Sequence, residues 1–295
     1  MKKVALVTYQ DLPALSLSDQ LLLQPLAVQS VQPIAVSWYD SVVDWQRFDA
    51  VVLRSCWDYH KRSNEFKQWI RKLESLDVPL YNSPQTVLWN MEKTYLRELA
   101  QYGIRTIPTL WISSDEKRHL QELLEDQGWS QAVLKPTIGA SAYGIQVVSV
   151  DNAEDHQPAF EDLLTSSGVM VQPVVEEIRN GELSLVFFRH NFSHAIRKMP
   201  GSSTIFVNSV YGGSWQVGDV PQRTIDTAVS VLDTAHRLTG GRDHLYARVD
   251  GVIVDDAFVL MKLELIEPGL FLDAAPPDAA RHFARVIAET AHRGI

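Results

Sequence analysis

The chain has 295 residues, 45% of them hydrophobic and 21% charged, the balance of a globular protein with room for two domains or for one large domain and a lobe. A formal net charge of −9 argues against a dedicated nucleic-acid binder, which shows a basic face, but leaves room for a local basic pocket that takes phosphates. The single cysteine, Cys56, excludes an internal disulfide and points to a reducing compartment.

The opening MKKVALVTYQDLP carries two lysines and an apolar run too short for a signal-peptide core. No later stretch approaches the roughly 18 uninterrupted apolar residues of a membrane span, so a cytoplasmic protein with no membrane partner is expected. VALVTY reads as a buried parallel strand, and SDQLLLQPLAVQS as a short helix capped by Ser18. PIAVSWYD and FDAVVLRSCW are further runs of strand length. SNEFKQWIRKLESLD places Phe66, Trp69, Ile70 and Leu73 at helical spacing, with Ser63 as N-cap. VPLYNSP ends this block at a proline. Such alternation implies a parallel sheet with helices on its faces, a first domain of residues 1–84.

From residue 85 the texture changes. PQTVLWNMEKTYLRELAQYG reads as one helix stopped by Gly103, and DEKRHLQELLEDQG as another stopped by Gly128. Between residues 130 and 190 short β-branched runs recur with little helix, which suggests an antiparallel sheet. VPQRTIDTAVSVLDTAHRLTGG is strongly amphipathic. LYARVDGVIV and FVLMKLELIEP form a hairpin joined by DDA, and a helix from about Pro277 closes the chain. No repeat, low-complexity tract or Gly/Ser linker appears, so the parts are expected to pack into one body.

Three stretches carry candidate chemistry. In VLKPTIGASAYGIQVV, Lys135 ends a strand and glycines flank small residues. Backbone N–H groups there can approach phosphate oxygens, while the lysine supplies charge. An ordinary glycine-containing hairpin explains the same residues as well, and the pattern is neither a Walker loop nor a dinucleotide fingerprint. VMVQPVVEEIRNGELS is a core strand leading into a turn, or else a place where the backbone of Val174 and Val175 meets an adenine edge and Glu182 takes the ribose. VLMKLELIEPGLFL sets Glu264 and Glu267 in an apolar run, and the hairpin brings Asp250 beside Glu264. Buried carboxylates are costly unless paired or bound to a cation. Mg²⁺ shared with nucleotide phosphates resolves that cost, and so does pairing with Arg248 and Lys262. Arg54 and Asp58 in RSCWDYH stand at a strand's C-terminal end, where open α/β sheets place ligands, and are candidates for gripping one.

Lys93 in NMEKTYLRELAQYGIRTIPT, Lys135 in LKPTIGASAYG, then QPVVEEIRNGELS, RVD and LELIEP follow the order and spacing of the ATP-grasp superfamily. Over about residues 88–275 the chain resembles its glutathione-synthetase-like branch. LRSCWDYHKR, GELSLVFF, SHAIRKMP, YGGSW and LYARVDG resemble the O-ureido-D-serine cyclo-ligase group of cycloserine biosynthesis. The resemblance implies an α/β fold with α+β character in its C-terminal part: a parallel-sheet domain over residues 1–84, then a two-lobed ATP-grasp domain over 85–295. Residues 107–175 would form the small lid lobe, and 85–106 with 176–295 the large one. It implies a ligase that uses ATP to activate a small amino-acid-like carboxylate as an acyl phosphate, which an amine of a second molecule or of the same molecule then attacks, releasing ADP and phosphate. Such transfer needs mainly positioning and charge neutralisation.

Carried over by position, Lys93 and Lys135 would contact the α- and β-phosphates under a lid of Gly139, Ala140, Ser141, Ala142, Tyr143 and Gly144. Gln172, Val174 and Val175 would line the adenine pocket and Glu182 would hold the ribose. Asp250, Glu264 and Glu267 would bind Mg²⁺, with Mn²⁺ as a substitute. Arg197, Lys198 and Asn208 would face the γ-phosphate or the substrate carboxylate, and His194 is a weaker substrate candidate. Related ligases are often dimers or tetramers, so a homo-oligomer is expected. Two positions depart from the branch: Phe206 stands where it has an arginine, and Lys262 where it has a glutamate. A protonated lysine cannot ligate Mg²⁺. Either Glu267 or Asp250 takes up the second-metal role, or one Mg²⁺ alone is held firmly, or the chain is an impaired nucleotide-binding protein. A ligase modifying a peptide terminus is a further alternative.

Overall fold

The computed structural model describes residues 1–140, 143–202, 204–208, 211–241 and 243–293. Ser141 and Ala142 of the expected lid lie outside the described residues.

The first sheet is parallel throughout. It is built from β1 (Lys2–Thr8), β2 (Val31–Ser37), β3 (Ala50–Leu53) and β4 (Leu80–Tyr81), in the order β2-β1-β3-β4. The central strand β1 is buried on both faces because both carry helices, which is why VALVT shows no polar alternation. Pro33 lies in β2, an edge strand, where its missing N–H costs no ladder bond. One face of the sheet (Val4, Leu6, Ala50, Val52) packs on Leu15 and Leu22, which flank the short helix α1 (Leu17–Gln20), on α2 (Leu23–Val28) and on the far C-terminal helix. The other (Ala5, Val7, Val51, Leu53) packs on Phe66, Trp69, Ile70 and Leu73 of α3 (Ser63–Ser75). Ser16, not Ser18, caps α1, accepting from the Asp19 amide. The Ser18 hydroxyl instead accepts the Leu272 amide, 254 residues away, and a tertiary bond of that kind is invisible to local capping rules. Ser63 opens α3 as its first helical residue, after a 3₁₀ turn.

The segment expected to be one helix over residues 84–103 is two, α4 (Pro84–Asn90) and α5 (Tyr95–Gln101). Between them the Lys93 amide donates to the Thr137 carbonyl at 2.9 Å, so a tertiary contact overrides helix continuity. A small antiparallel sheet follows: β5 (Leu110–Ile112), β6 (Gln131–Pro136), β7 (Gln146–Ser149) and β8 (Val169–Pro173), in the order β5-β8-β6-β7. Helices α6 (Leu120–Gln127) and α7 (Ala153–Ser166) cover one face through Leu120, Leu124, Phe160 and Leu164. The second antiparallel sheet holds β9 (Glu182–Phe188), β10 (Asn191–Met199), β11 (Ser214–Val217), β12 (Tyr246–Val254) and β13 (Ala257–Glu264), in the order β11-β10-β9-β12-β13. Its apolar face takes α5 and α8 (Gln222–Leu238). Finally α9 (Ala279–Arg293) returns to the first sheet, where Phe283 stacks on Phe188 and joins the core of residues 1–84 to β9 and β12. No helix among the described residues is long and apolar enough to cross a membrane.

Candidate active site

The period-two pleat explains how charges come to stand in apolar strands. Side chains at i and i+2 share a face. Register aligns Lys198 with Glu182, Ser184 with Asp250, Asp250 with Lys262 and Arg248 with Glu264. One face of the second sheet is therefore core, and the other carries Glu182, Lys198, Arg248, Asp250, Lys262 and Glu264. That charged face forms the floor of a cavity of about 650 Å³ whose opposite wall is the small sheet.

Lys93 and Lys135 enter from the small-sheet side. Lys93 Nζ donates to the Gly139 carbonyl at 2.8 Å, and Lys135 Nζ donates to Gln172 Oε1 at 2.8 Å. Gln172 is oriented by its own bond to Thr109 Oγ1 at 2.9 Å. Burial, reinforced by the positive charges of Lys262 and Lys135, pushes Lys93 down to about 7. Burial, with Lys262, pushes Lys135 down to about 8. An anion brought beside two ammonium groups made this unfavourable would restore their charge. We expect nucleotide binding at pH 8 to take up protons, and the uptake to fade at pH 6, where both lysines are already charged. Calorimetry in buffers of different ionisation enthalpy reads this directly; equal enthalpies in all buffers at pH 8 contradict it.

On the floor, Asp250 is fully buried and saturated. Arg248 grips both of its oxygens at 2.9 Å, Ser184 donates to Oδ1 at 2.6 Å, and Lys262 and Lys198 stand 3.1 and 3.3 Å from Oδ2. Burial alone raises a carboxyl, yet Arg248, Lys198 and Lys262 hold this one well below its ordinary value. Glu264 accepts from Lys262 and Arg248, each at 2.7 Å, and they keep it low against burial. Lys198 also pairs with Glu182. Glu267 differs: burial first, and then the charge of Glu264, push it up to about 8.

Glu267 sits on a strap after β13, where six consecutive carbonyls each accept a side-chain donor. Leu265 is held by Asn82, Ile266 by Tyr246, Glu267 by Trp57, Pro268 by Arg54, Gly269 by Arg248 and Leu270 by His194, at 2.7–3.0 Å. Two expected substrate residues thereby take other work. Arg54 is fully buried, paired with Asp19 at 3.0 Å and stacked over Tyr246; the strand end that suggested a ligand site is covered by the strap. His194 is buried too, donating through Nε2 to Leu270 and accepting from Ser193 at Nδ1, and burial keeps it neutral. Asp58 accepts from Trp38 Nε1 at 2.8 Å and does not line the cavity.

Of the other expected residues, the cavity wall includes Lys93, Lys135, Gly139, Ala140, Gln172, Val175, Glu182, Lys198, Asn208, Glu264 and Glu267. The Val174 amide is committed to the Gln131 carbonyl at 3.3 Å and is not free for an adenine edge. Arg197 points away from Lys198, as neighbours on a strand must, and binds the Asn180 carbonyl. Tyr143 is exposed and meets the His60 ring, while Gly144 holds a left-handed turn against Leu163. The sequence reading left out Ser16, Ser18, Trp215, Phe271 and Asp273, which line the far end of the cavity. No local pattern marks them, because they come from the start of α1, from the edge strand β11 and from the segment before α9, three separate parts of the chain.

Of the three Glu residues lining the cavity, Glu182 is paired with Lys198; Glu264 and Glu267, the latter without a salt bridge among the described residues, suit a hard cation that prefers oxygen ligands. The saturated Asp250 does not.

Two sheets facing each other across a cavity with paired lysines above and carboxylates below define an ATP-grasp ligase. Comparison with solved structures agrees. D-cycloserine synthetase DcsG superposes with a TM-score of 0.87 at 29% identity, covering 98% of this chain and 99% of that one. D-alanine–D-alanine ligase from Bacillus anthracis, solved with ATP, gives 0.71 at 16% identity over 99% and 98%. The family model for the D-cycloserine synthetase DcsG N-terminal domain matches residues 4–82. The cycloserine biosynthesis protein DcsG of Streptomyces lavendulae is 32% identical over 266 residues, 85% of this chain and 86% of that protein. This chain belongs to the DcsG family of ATP-grasp ligases.

Proposed function

We propose that this chain binds ATP in the cavity and uses it to close a ring in a small amino-acid-like substrate. The observation that carries the reading is the convergence of Lys135, Lys198 and Glu264 from two facing sheets, with Lys93 from the α4–α5 connection and Glu267 from the strap, on one space of about 650 Å³. The substrate carboxylate oxygen attacks the γ-phosphorus and ADP leaves. A nitrogen of the same molecule then attacks the acyl carbon, loses a proton, and expels phosphate. Lys93 and Lys135 hold the phosphate chain, and Glu182 and Gln172 mark the nucleoside side. Lys198, on the charged face, offers its positive charge to the transferred group. Mg²⁺ on the oxygens of Glu264 and Glu267 would neutralise charge on that phosphoryl group. The far end of the cavity, with Trp57, Phe271 and Asp273, would receive the substrate. Support comes from the DcsG relatives, whose names join them to cycloserine synthesis.

The test is ATP turnover with O-ureido-D-serine beside a panel of amino acids and amines. ADP, phosphate and a cyclised product from the first substrate support the reading. Neither ADP nor phosphate above background with any substrate sinks it. A second reading, a nucleotide-binding protein without ligase activity, is favoured by one observation: Lys262 is ion-paired with both Asp250 and Glu264. Tight nucleotide binding without turnover would select it.

A further inference from the structure

The charged floor of the cavity carries its own counter-ions. Asp250 Oδ1 receives two donors and Oδ2 faces three, from Arg248, Ser184, Lys198 and Lys262, and no part of the residue lines the cavity. The Lys262 ammonium lies 3.1 Å from Asp250 Oδ2 and 2.7 Å from Glu264 Oε1. It thus bridges carboxylates on neighbouring strands, which is the place and the electrostatic work of a cation shared between them. Arg248 makes the same bridge from the other side, with Nη2 2.7 Å from Glu264 Oε2. A lysine is a compact point charge with three donors, so it can neutralise two carboxylates at once but cannot accept a lone pair. Of the acidic groups on or beside this floor, Glu182 is paired with Lys198, Asp250 and Glu264 with Lys262 and Arg248. Glu267 and, in the loop beyond it, Asp273 line the cavity with no ion pair among the described residues, and of the two Glu267 is the one three residues from Glu264.

We propose that the Lys262 ammonium is a fixed internal cation occupying the position between Asp250 and Glu264, so that this chain takes its nucleotide with one divalent ion, on the Glu264–Glu267 side, and has no second metal position. The proposal rests on the nucleotide reading given above. Its reach is chemical: one mobile and one covalently tethered positive charge would then face the phosphates.

The test is to count bound Mn²⁺ by electron paramagnetic resonance in the full-length protein saturated with a non-hydrolysable ATP analogue. The wild type is expected to hold one Mn²⁺ per chain, and Lys262→Glu two. Two Mn²⁺ in the wild type, or one in a folded Lys262→Glu variant, overturns the proposal. Should Lys262→Glu fail to fold, Lys262→Gln carries the test by thermal melting without nucleotide. Removing the internal cation without adding a ligand should make the Tm gain from Mn²⁺ alone larger than in the wild type, and an equal gain overturns the proposal. An analogue that does not bind the wild type at all removes the nucleotide reading and this inference together. Binding with two metals removes only the inference.

Discussion

Arg54→Ala will lower the unfolding free energy by about 3–5 kcal/mol, the usual cost of removing one partner from a buried ion pair. Asp19 is 1% exposed, and Arg54 is its one salt-bridge partner among the described residues. The hydroxyls of Ser16 and Ser55, at 3.0 and 2.7 Å, can solvate the abandoned carboxylate but cannot neutralise it. The variant also releases the Pro268 carbonyl and vacates the space over Tyr246 and Phe283. Set against a typical total of about 5–15 kcal/mol, this is a large share of the whole. Urea unfolding followed by tryptophan fluorescence gives the answer as a lowered midpoint at an unchanged slope. An unchanged midpoint with a raised KM for the amino-acid substrate would return Arg54 to the substrate-binding role its sequence position suggested.

Lys135→Met should do the reverse. Lys135 makes no salt bridge among the described residues, its hydrogen bond is to Gln172, and burial works against its charge. Removing the ammonium relieves that cost, so the ligand-free Tm should hold or rise. ATP turnover should fall by about 10²–10³-fold, the usual loss when one preorganised donor to a developing charge is deleted. On the proposed reading, a charge buried to meet phosphate trades stability for function in this way. The two variants separate cleanly: one damages the scaffold and the other the chemistry. A Lys135→Met protein with normal turnover would take the phosphate grip away from this residue.

The fold was legible where burial and pleat act locally. VALVTY reads as a buried parallel strand because nothing polar interrupts it, and FVLMKLELIEP reads as half a hairpin because Asp255 and Asp256 lie between two β runs. The break between α4 and α5 was not legible, because it depends on Thr137 lying across the Lys93 amide. In the candidate site, Lys135, Glu264 and Glu267 carry local signals, a lysine beside a glycine loop or an acid in an apolar run, while Lys93 was marked by the family resemblance alone; all four line the cavity. Arg54 misled through its position, while His194, the weaker candidate, stands inside β10 as a structural hydrogen-bonder. A polar residue at a strand end looks like a ligand grip, and only the path of residues 265–270 shows what covers it. Asp250 had two readings, cation ligand or partner of Arg248 and Lys262, and its five oxygen contacts favour the second.

The strap after β13 has a mechanical consequence. Its six carbonyls are divided evenly: Arg54, Trp57 and Asn82 reach in from the elements around the parallel sheet, and His194, Tyr246 and Arg248 from the second antiparallel sheet. It acts as a zip with teeth on both sides. Turning those two bodies against each other would require several of these bonds to part together, four of them buried and two part-buried. The small sheet, by contrast, meets the strap through none of the six. Any opening of the cavity is therefore left to the wall that bears Lys135, while the strap that bears Glu267 stays locked in register with the parallel sheet and the charged floor.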